Sequence, residues 1–150
     1  MSAEKPFYED GLHFSCRRCS LCCRRDEGCV FLTRDDLDAL AKEHAMRRED
    51  FLLTYCRWVP IAYRDQLLSL KEKANNDCIF WKDGCAVYNA RPLQCRSYPF
   101  WKNHLSGKEN WDQATAECPG AGRGQHHTKE IIEAWIASED ANPIIRRTRP

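Results

Sequence analysis

The chain has 150 residues, with 23 Lys and Arg against 22 Asp and Glu for a formal charge of +1, and 43% hydrophobic residues. That is a one-domain length with enough apolar material for a core; it excludes a disordered chain and a chain-wide basic field of the kind that holds nucleic acid. No stretch approaches the ~18 apolar residues of a membrane span, and the opening MSAEKPFYEDG lacks the basic and apolar regions of a secretory leader, so the expectation is a cytoplasmic protein with neither a membrane nor a nucleic-acid partner.

In chain order, residues 1–12 read as a flexible arm and residues 13–32 as a cysteine-rich loop ending in the apolar CVFL. Thr33 is placed to cap a helix whose first turn holds Asp35 and Asp36, where the helix dipole favours anions. Leu37, Leu40, Ala41 and His44 then follow on one helical face, with His44 read as a helix-end histidine rather than a ligand. A second short helix is expected over residues 48–56, and strands over 58–70, with Pro60 as a breaker. Residues 78–88 suggest a hairpin turning at Lys82-Asp83-Gly84, which would draw Cys78 and Cys85 towards each other. Asn89 is placed to cap a short helix with Pro92 in its first turn. Residues 102–117 read as a strand or loop followed by a polar connection, and 118–124 as a glycine-rich loop. This loop lacks the lysine of a phosphate-binding loop and the spacing of a dinucleotide fingerprint, so it reads as a ligand-positioning turn. Thr128 begins a last helix with Ile131, Ile132, Trp135 and Ile136 as its apolar stripe, and 142–150 read as a frayed basic tail. The expected organisation is an arm over 1–12, a cysteine-cluster domain over 13–141 and a tail over 142–150.

Ten cysteines are the outlying feature. In a reducing compartment such density points to metal ligation more than to disulfides. Cys16, Cys19, Cys22 and Cys23 form a C-x2-C-x2-C-C run. Disulfides inside so short a run would be strained, whereas closely spaced thiolates suit a metal or cluster. Cys56, in FLLTYCRW, reads as a small buried hydrophobe. The metal candidates are then Cys16, Cys19, Cys22, Cys23, Cys29, Cys78, Cys85, Cys95 and Cys118. Nine ligands do not divide into sets of four, and the adjacent Cys22 and Cys23 diverge; Cys23 and Cys29 are where the count fails to close.

Arg17, Arg18, Arg24, Arg25, Arg91 and Arg96 accompany these thiols. Four thiolates around a dication leave a charge of about −2, costly at low dielectric. Guanidinium donors to sulfur would offset it, a role assigned to Arg17, Arg91 and Arg96; the other reading is an arginine pocket for an anionic ligand. His126 and His127 either add a ligand or simply precede a helix at the surface.

Taken together, C-x2-C-x2-C-C, Cys29 before V-F-L-T, C-I-F-W…C-A-V-Y-N-A-R-P-L-Q-C-R-S-Y-P-F and C-P-G-A-G-R-G resemble the CxxCxxCC, or YkgJ-type, family of zinc- or iron-chelating proteins over about residues 14–124. A longer relative of similar cysteine pattern is the flagellin lysine N-methylase. The resemblance implies metal binding; methyl transfer would follow only by analogy. C-x2-C-x2-C with a remote Cys118-Pro119 resembles ferredoxin ligation, which favours an iron–sulfur cluster, expected as [4Fe–4S], with a redox or electron-transfer role. Zinc is the alternative, although Cys78, Cys85, Cys95 and Cys118 stand singly, unlike the paired cysteines of a zinc ribbon. The first gap of the run is too short for radical SAM chemistry. No Ser–His–Asp arrangement, paired carboxylates or cofactor fingerprint stands out, so no catalytic residue is assigned. The competing functions are a structural zinc protein and a small methyltransferase-like enzyme. The expected architecture is α+β: a small single domain of short helices and hairpins around a cysteine-bound metal centre.

Overall fold

The computed structural model describes residues 4–17, 29–75, 77–82 and 84–149. Among them are five short helices and two small antiparallel sheets, the α+β class expected. They divide into two compact units, residues 29–96 with 142–149, and residues 4–17 with 97–141. No described helix is long and apolar enough to cross a membrane.

In the first of these, Thr33 begins α1 (Arg34–Glu43) through a reciprocal cap. Its hydroxyl accepts from the Asp36 N–H, and the Asp36 carboxylate accepts from the Thr33 N–H, satisfying two amide donors that a helix start would otherwise strand. Leu37, Leu40 and Ala41 face the core. His44 closes the helix, its Nδ1–H donating to the Leu40 carbonyl at 2.8 Å, and its ring sits among Phe51, Tyr55 and Phe80. It is a packed helix-end residue. The second helix, α2 (Arg48–Tyr55), buries Phe51 and runs directly into β2 (Cys56–Ala62).

Strand β2 pairs antiparallel with β3 (Asp65–Leu70) from Cys56↔Leu70 to Ala62↔Asp65. Arg64 takes a left-handed φ of 66° in the tight turn between them. Pro60 is tolerated because β2 is an edge strand, where a missing N–H breaks no inner ladder. The other edge of β3 is taken by β5 (Arg146–Thr148), so the segment expected to fray pairs instead. Its three residues are all exposed and carry no apolar alternation. What holds it is tertiary: Arg147 lies over the Trp58 ring and donates to Gln66, and Arg146 pairs with Asp65. Leu32, Leu37, Leu40, Phe51, Leu68 and Phe80 form the core here.

Among the described residues of 78–88, no two-stranded ladder of the expected hairpin forms. A single bridge, Trp81↔Cys85, and an Ala86 N–H to Phe80 carbonyl bond close a turn. Phe80 and Val87 on either side of this turn are buried in the core. A 3-10 turn (Tyr88–Ala90) then leads to α3 (Leu93–Ser97). Asn89 therefore lies inside the 3-10 turn. Pro92 precedes α3, and its carbonyl accepts from the Cys95 and Arg96 N–H groups.

In the other unit, β1 (Leu12–Phe14) pairs with β4 (Ala121–His127) through Leu12↔His127, His13↔His126 and Phe14↔Ala121. The register skips residues 122–125, and Gly122 and Gly124, at φ of 77° and 82°, supply the left-handed turns that this bulge requires. The expected glycine-rich loop is thus largely a strand. Residues 102–117 carry a 3-10 turn (His104–Ser106) and α4 (Lys108–Thr115) in place of a strand. Only Trp111 and Thr115 of α4 are buried, too sparse an apolar pattern to read as a helix in advance. Thr128 begins α5 (Lys129–Ala141), accepting from the Ile131 N–H. Ile132, Trp135 and Ile136 pack inward, while Ile131, 44% exposed, lies off the stripe. Tyr8, from the segment read as an arm, is buried in this core with Phe14, Phe100 and Trp111, and its neighbour Glu9 pairs with Lys129.

Candidate metal centre

Thiols find a metal only if the backbone carries distant cysteines to the same place, so the hydrogen bonds beside each cysteine matter first. In the unit of β1 and β4, the Ser15 N–H donates to the Gly120 carbonyl. This sets the segment ending in Cys16 alongside the one that follows Cys118. Gly120 is required there: a Cβ on it would collide with the Ser15 carbonyl oxygen. Cys118 is partly buried against the local core, and its N–H and carbonyl are both used, by Thr115 and Ala121. Cys16 is exposed.

In the unit of β2 and β3, Gln94 does the corresponding work. Its amide Nε2 donates to the Cys29 carbonyl at 2.7 Å, and its Oε1 accepts from the Phe31 N–H at 3.0 Å. A single side chain therefore fixes the backbone on both sides of Val30 to the helix that carries Cys95. That helix is tied in turn to α1, because Asp36 accepts from the Leu93 N–H at 2.9 Å. Cys29 leads into residues 30–32, which bond to β3 through Val30, Leu32, Leu68 and Leu70. Cys78 bridges to Glu72, just beyond β3, and the Ile79 N–H donates to Lys71. Cys78 and Cys85 both lie partly buried against the same core.

Among the described residues, the Arg57 guanidinium meets a sulfur. Its Nη2 lies 3.7 Å from Cys29 Sγ and 3.7 Å from a carboxylate oxygen of Glu72. Such a donor favours the anionic thiolate that a metal needs. Of the arginines singled out from sequence, Arg91 lies over the Tyr88 ring and donates to the Tyr88 carbonyl, Arg96 donates to the Arg91 carbonyl, and Arg17 is exposed. Arg57 and Gln94 were not anticipated. Arg57 is in a strand 28 residues from Cys29, and nothing local marks it; Gln94 had a signal only in standing next to Cys95.

Cys56 sits in a setting unlike that of the other cysteines. It is 7% exposed within the core, and burial pushes its thiol up to about 11. The same burial disfavours the thiolate form that a metal ligand needs. His126 and His127 donate their Nε2–H groups to the Asp10 and Phe14 carbonyls within the strand pair. Cys19, Cys22 and Cys23, with Arg18, Arg24 and Arg25, lie outside the described residues. No disulfide joins the described cysteines. Among the described residues, no group of three or more His, Cys, Asp or Glu side chains is gathered closely enough to hold an ion. What those residues do hold together are cysteine-bearing segments: 16 with 118 in one unit, and 29 with 95 in the other.

The donor chemistry fits a thiophilic metal: sulfur atoms with no disulfide among the described ones, and a guanidinium facing Cys29. No solved structure matches this chain. The model of the CxxCxxCC family, a putative zinc- or iron-chelating domain, matches residues 15–119, a span that takes in all nine candidate cysteines from Cys16 to Cys118. With more than half of its length matched in this way, the chain belongs to the CxxCxxCC family, and binding a metal is its general function.

Proposed function

We propose that this chain is an iron–sulfur protein of the reducing cytoplasm, with a [4Fe–4S] cluster held by thiolates drawn from Cys16, Cys19, Cys22, Cys23, Cys29, Cys78, Cys85, Cys95 and Cys118 in the domain over residues 13–141. The observation that carries this reading is the donor set: cysteine sulfur in a C-x2-C-x2-C order with a remote Cys-Pro, with no disulfide among the described cysteines. Such a cluster, when bound, supplies one-electron chemistry. The chain's own part is to hold the thiolates and to balance their charge. Gln94 and the Ser15–Gly120 bond hold the segments. Arg57 faces Cys29, and Arg17, Arg91 and Arg96 complete the positive surroundings. Zinc is the second reading, favoured by the same sulfur donors.

Protein purified without oxygen is expected to be brown and to contain iron with acid-labile sulfide. Colourless protein carrying stoichiometric zinc would overturn the cluster reading in favour of zinc. Removing the metal with a chelator is expected to unfold the chain, because structural metal binding is folding free energy.

A further inference from the structure

His13 and His126 form a directly opposed pair on β1 and β4. Both are exposed, with ring centroids 5.0 Å apart. Each ring is oriented by a hydrogen bond from only one of its nitrogens. His13 Nδ1 lies 3.2 Å from the Gly124 carbonyl, and His126 Nε2 lies 2.8 Å from the Asp10 carbonyl. A carbonyl only accepts, so each of these nitrogens carries the proton. The lone pairs are thereby left on His13 Nε2 and His126 Nδ1. Fixing the tautomer through the far nitrogen is how metal-binding histidines are prepared for coordination.

The seat of the His126 ring is built into the backbone. Gly11 has a left-handed φ of 86°, and a Cβ there would collide with the His127 carbonyl oxygen and lie 2.5 Å from His126 Nε2. Glycine at this position thus lets the β4 backbone pass closely and leaves room for the His126 ring to reach Asp10. The separation also suits a shared ion: zinc holds imidazole nitrogen at about 2.0–2.1 Å in a tetrahedral arrangement, which sets two ring centroids about 5 Å apart.

We propose that His13 and His126 form a two-imidazole site for a borderline divalent cation of the Zn2+ type, separate from the thiolate centre. Two protein ligands leave the remaining coordination positions to water or to a small anion. His127 lies outside the site, because its half-buried ring packs on Phe14 and Phe100.

The test is calorimetric titration of Zn2+ into the anaerobically purified full chain with its cysteine-held metal in place, its content measured before and after. One further equivalent of Zn2+ is expected, at roughly micromolar affinity. The expected effect of His13→Gln or His126→Gln is a loss of at least tenfold in that affinity, with unchanged cysteine-held metal and unchanged melting. His104→Gln is expected to leave it intact. Nitrogen chemical shifts provide the second measurement: Zn2+ should move His13 Nε2 and His126 Nδ1 and spare His127. Equal uptake by the parent and both glutamine variants would overturn the proposal. So would an extra equivalent that disappears in Cys19→Ala but survives in His126→Gln.

Discussion

Replacing Asp36 with alanine tests how the cysteine-bearing helix is held. The carboxylate is 5% exposed and serves two elements at once. One oxygen accepts from the Thr33 N–H at 3.0 Å, completing the cap of α1; the other accepts from the Leu93 N–H at 2.9 Å, where α3 begins. Loss of the cap costs about 0.5–2 kcal/mol. The Leu93 bond has a charged acceptor in a buried setting, and stranding its N–H costs a further ~1.5–3 kcal/mol. Asp36→Ala is therefore expected to destabilise by about 2–5 kcal/mol. With an m-value of about 2 kcal/mol/M, the urea midpoint falls by about 1–2.5 M. Thr33→Ala removes only the hydroxyl acceptor of the Asp36 N–H and should cost about 1 kcal/mol. Metal retention against a chelator should follow the same order, because α3 carries Gln94 and Cys95. Urea unfolding of the metal-loaded parent and both variants decides it. If Asp36→Ala costs no more than Thr33→Ala, the bond to α3 contributes nothing and the reasoning fails.

The other expectations concern individual side chains. Cys56→Ala should leave metal content unchanged, whereas Cys19→Ala should lose it; equal losses by metal analysis would place Cys56 among the ligands. The Cys56 thiol titrates near 9.0 when exposed and at about 11 in the fold. Its folded-state pKa is raised, so the folded chain binds more protons than the unfolded one between those values. That contribution is present below pH 9 and is lost as pH rises to 11, by about 2–3 kcal/mol. The stability difference between the parent and Cys56→Ala, measured by denaturant titration at pH 8 and pH 11, should shift by that amount against the parent; a constant difference would contradict the burial argument. Arg57→Gln takes the guanidinium from both Cys29 and Glu72 and should weaken metal retention by about 10–100-fold, read by chelator competition. Gln94→Ala breaks both ties to residues 29–31 and should cost about 2–3 kcal/mol together with part of the metal, whereas unchanged retention would show that the 29 and 95 segments meet without it.

The sequence by itself determined the features that depend on residues close in the chain. Thr33 and Asp36 carry their cap within one turn, and Leu37, Leu40 and Ala41 repeat at helical spacing. Cys56 announces its burial through its apolar neighbours, and the spacing of the cysteines alone marks the family. Only the tertiary structure decided what long-range contact holds in place. Strand β5 is a basic tripeptide with no intrinsic strand pattern, ordered by Trp58, Gln66 and Asp65. Strand β4 is glycine-rich because its bulge needs left-handed residues and because Gly120, just ahead of it, must pass close to Ser15. Arg57 reaches Cys29, and Gln94 clasps its backbone, across 28 and 65 positions of chain. A hydrogen bond between such distant residues leaves no local periodicity behind, since either partner alone is just a polar side chain in a strand or a short helix.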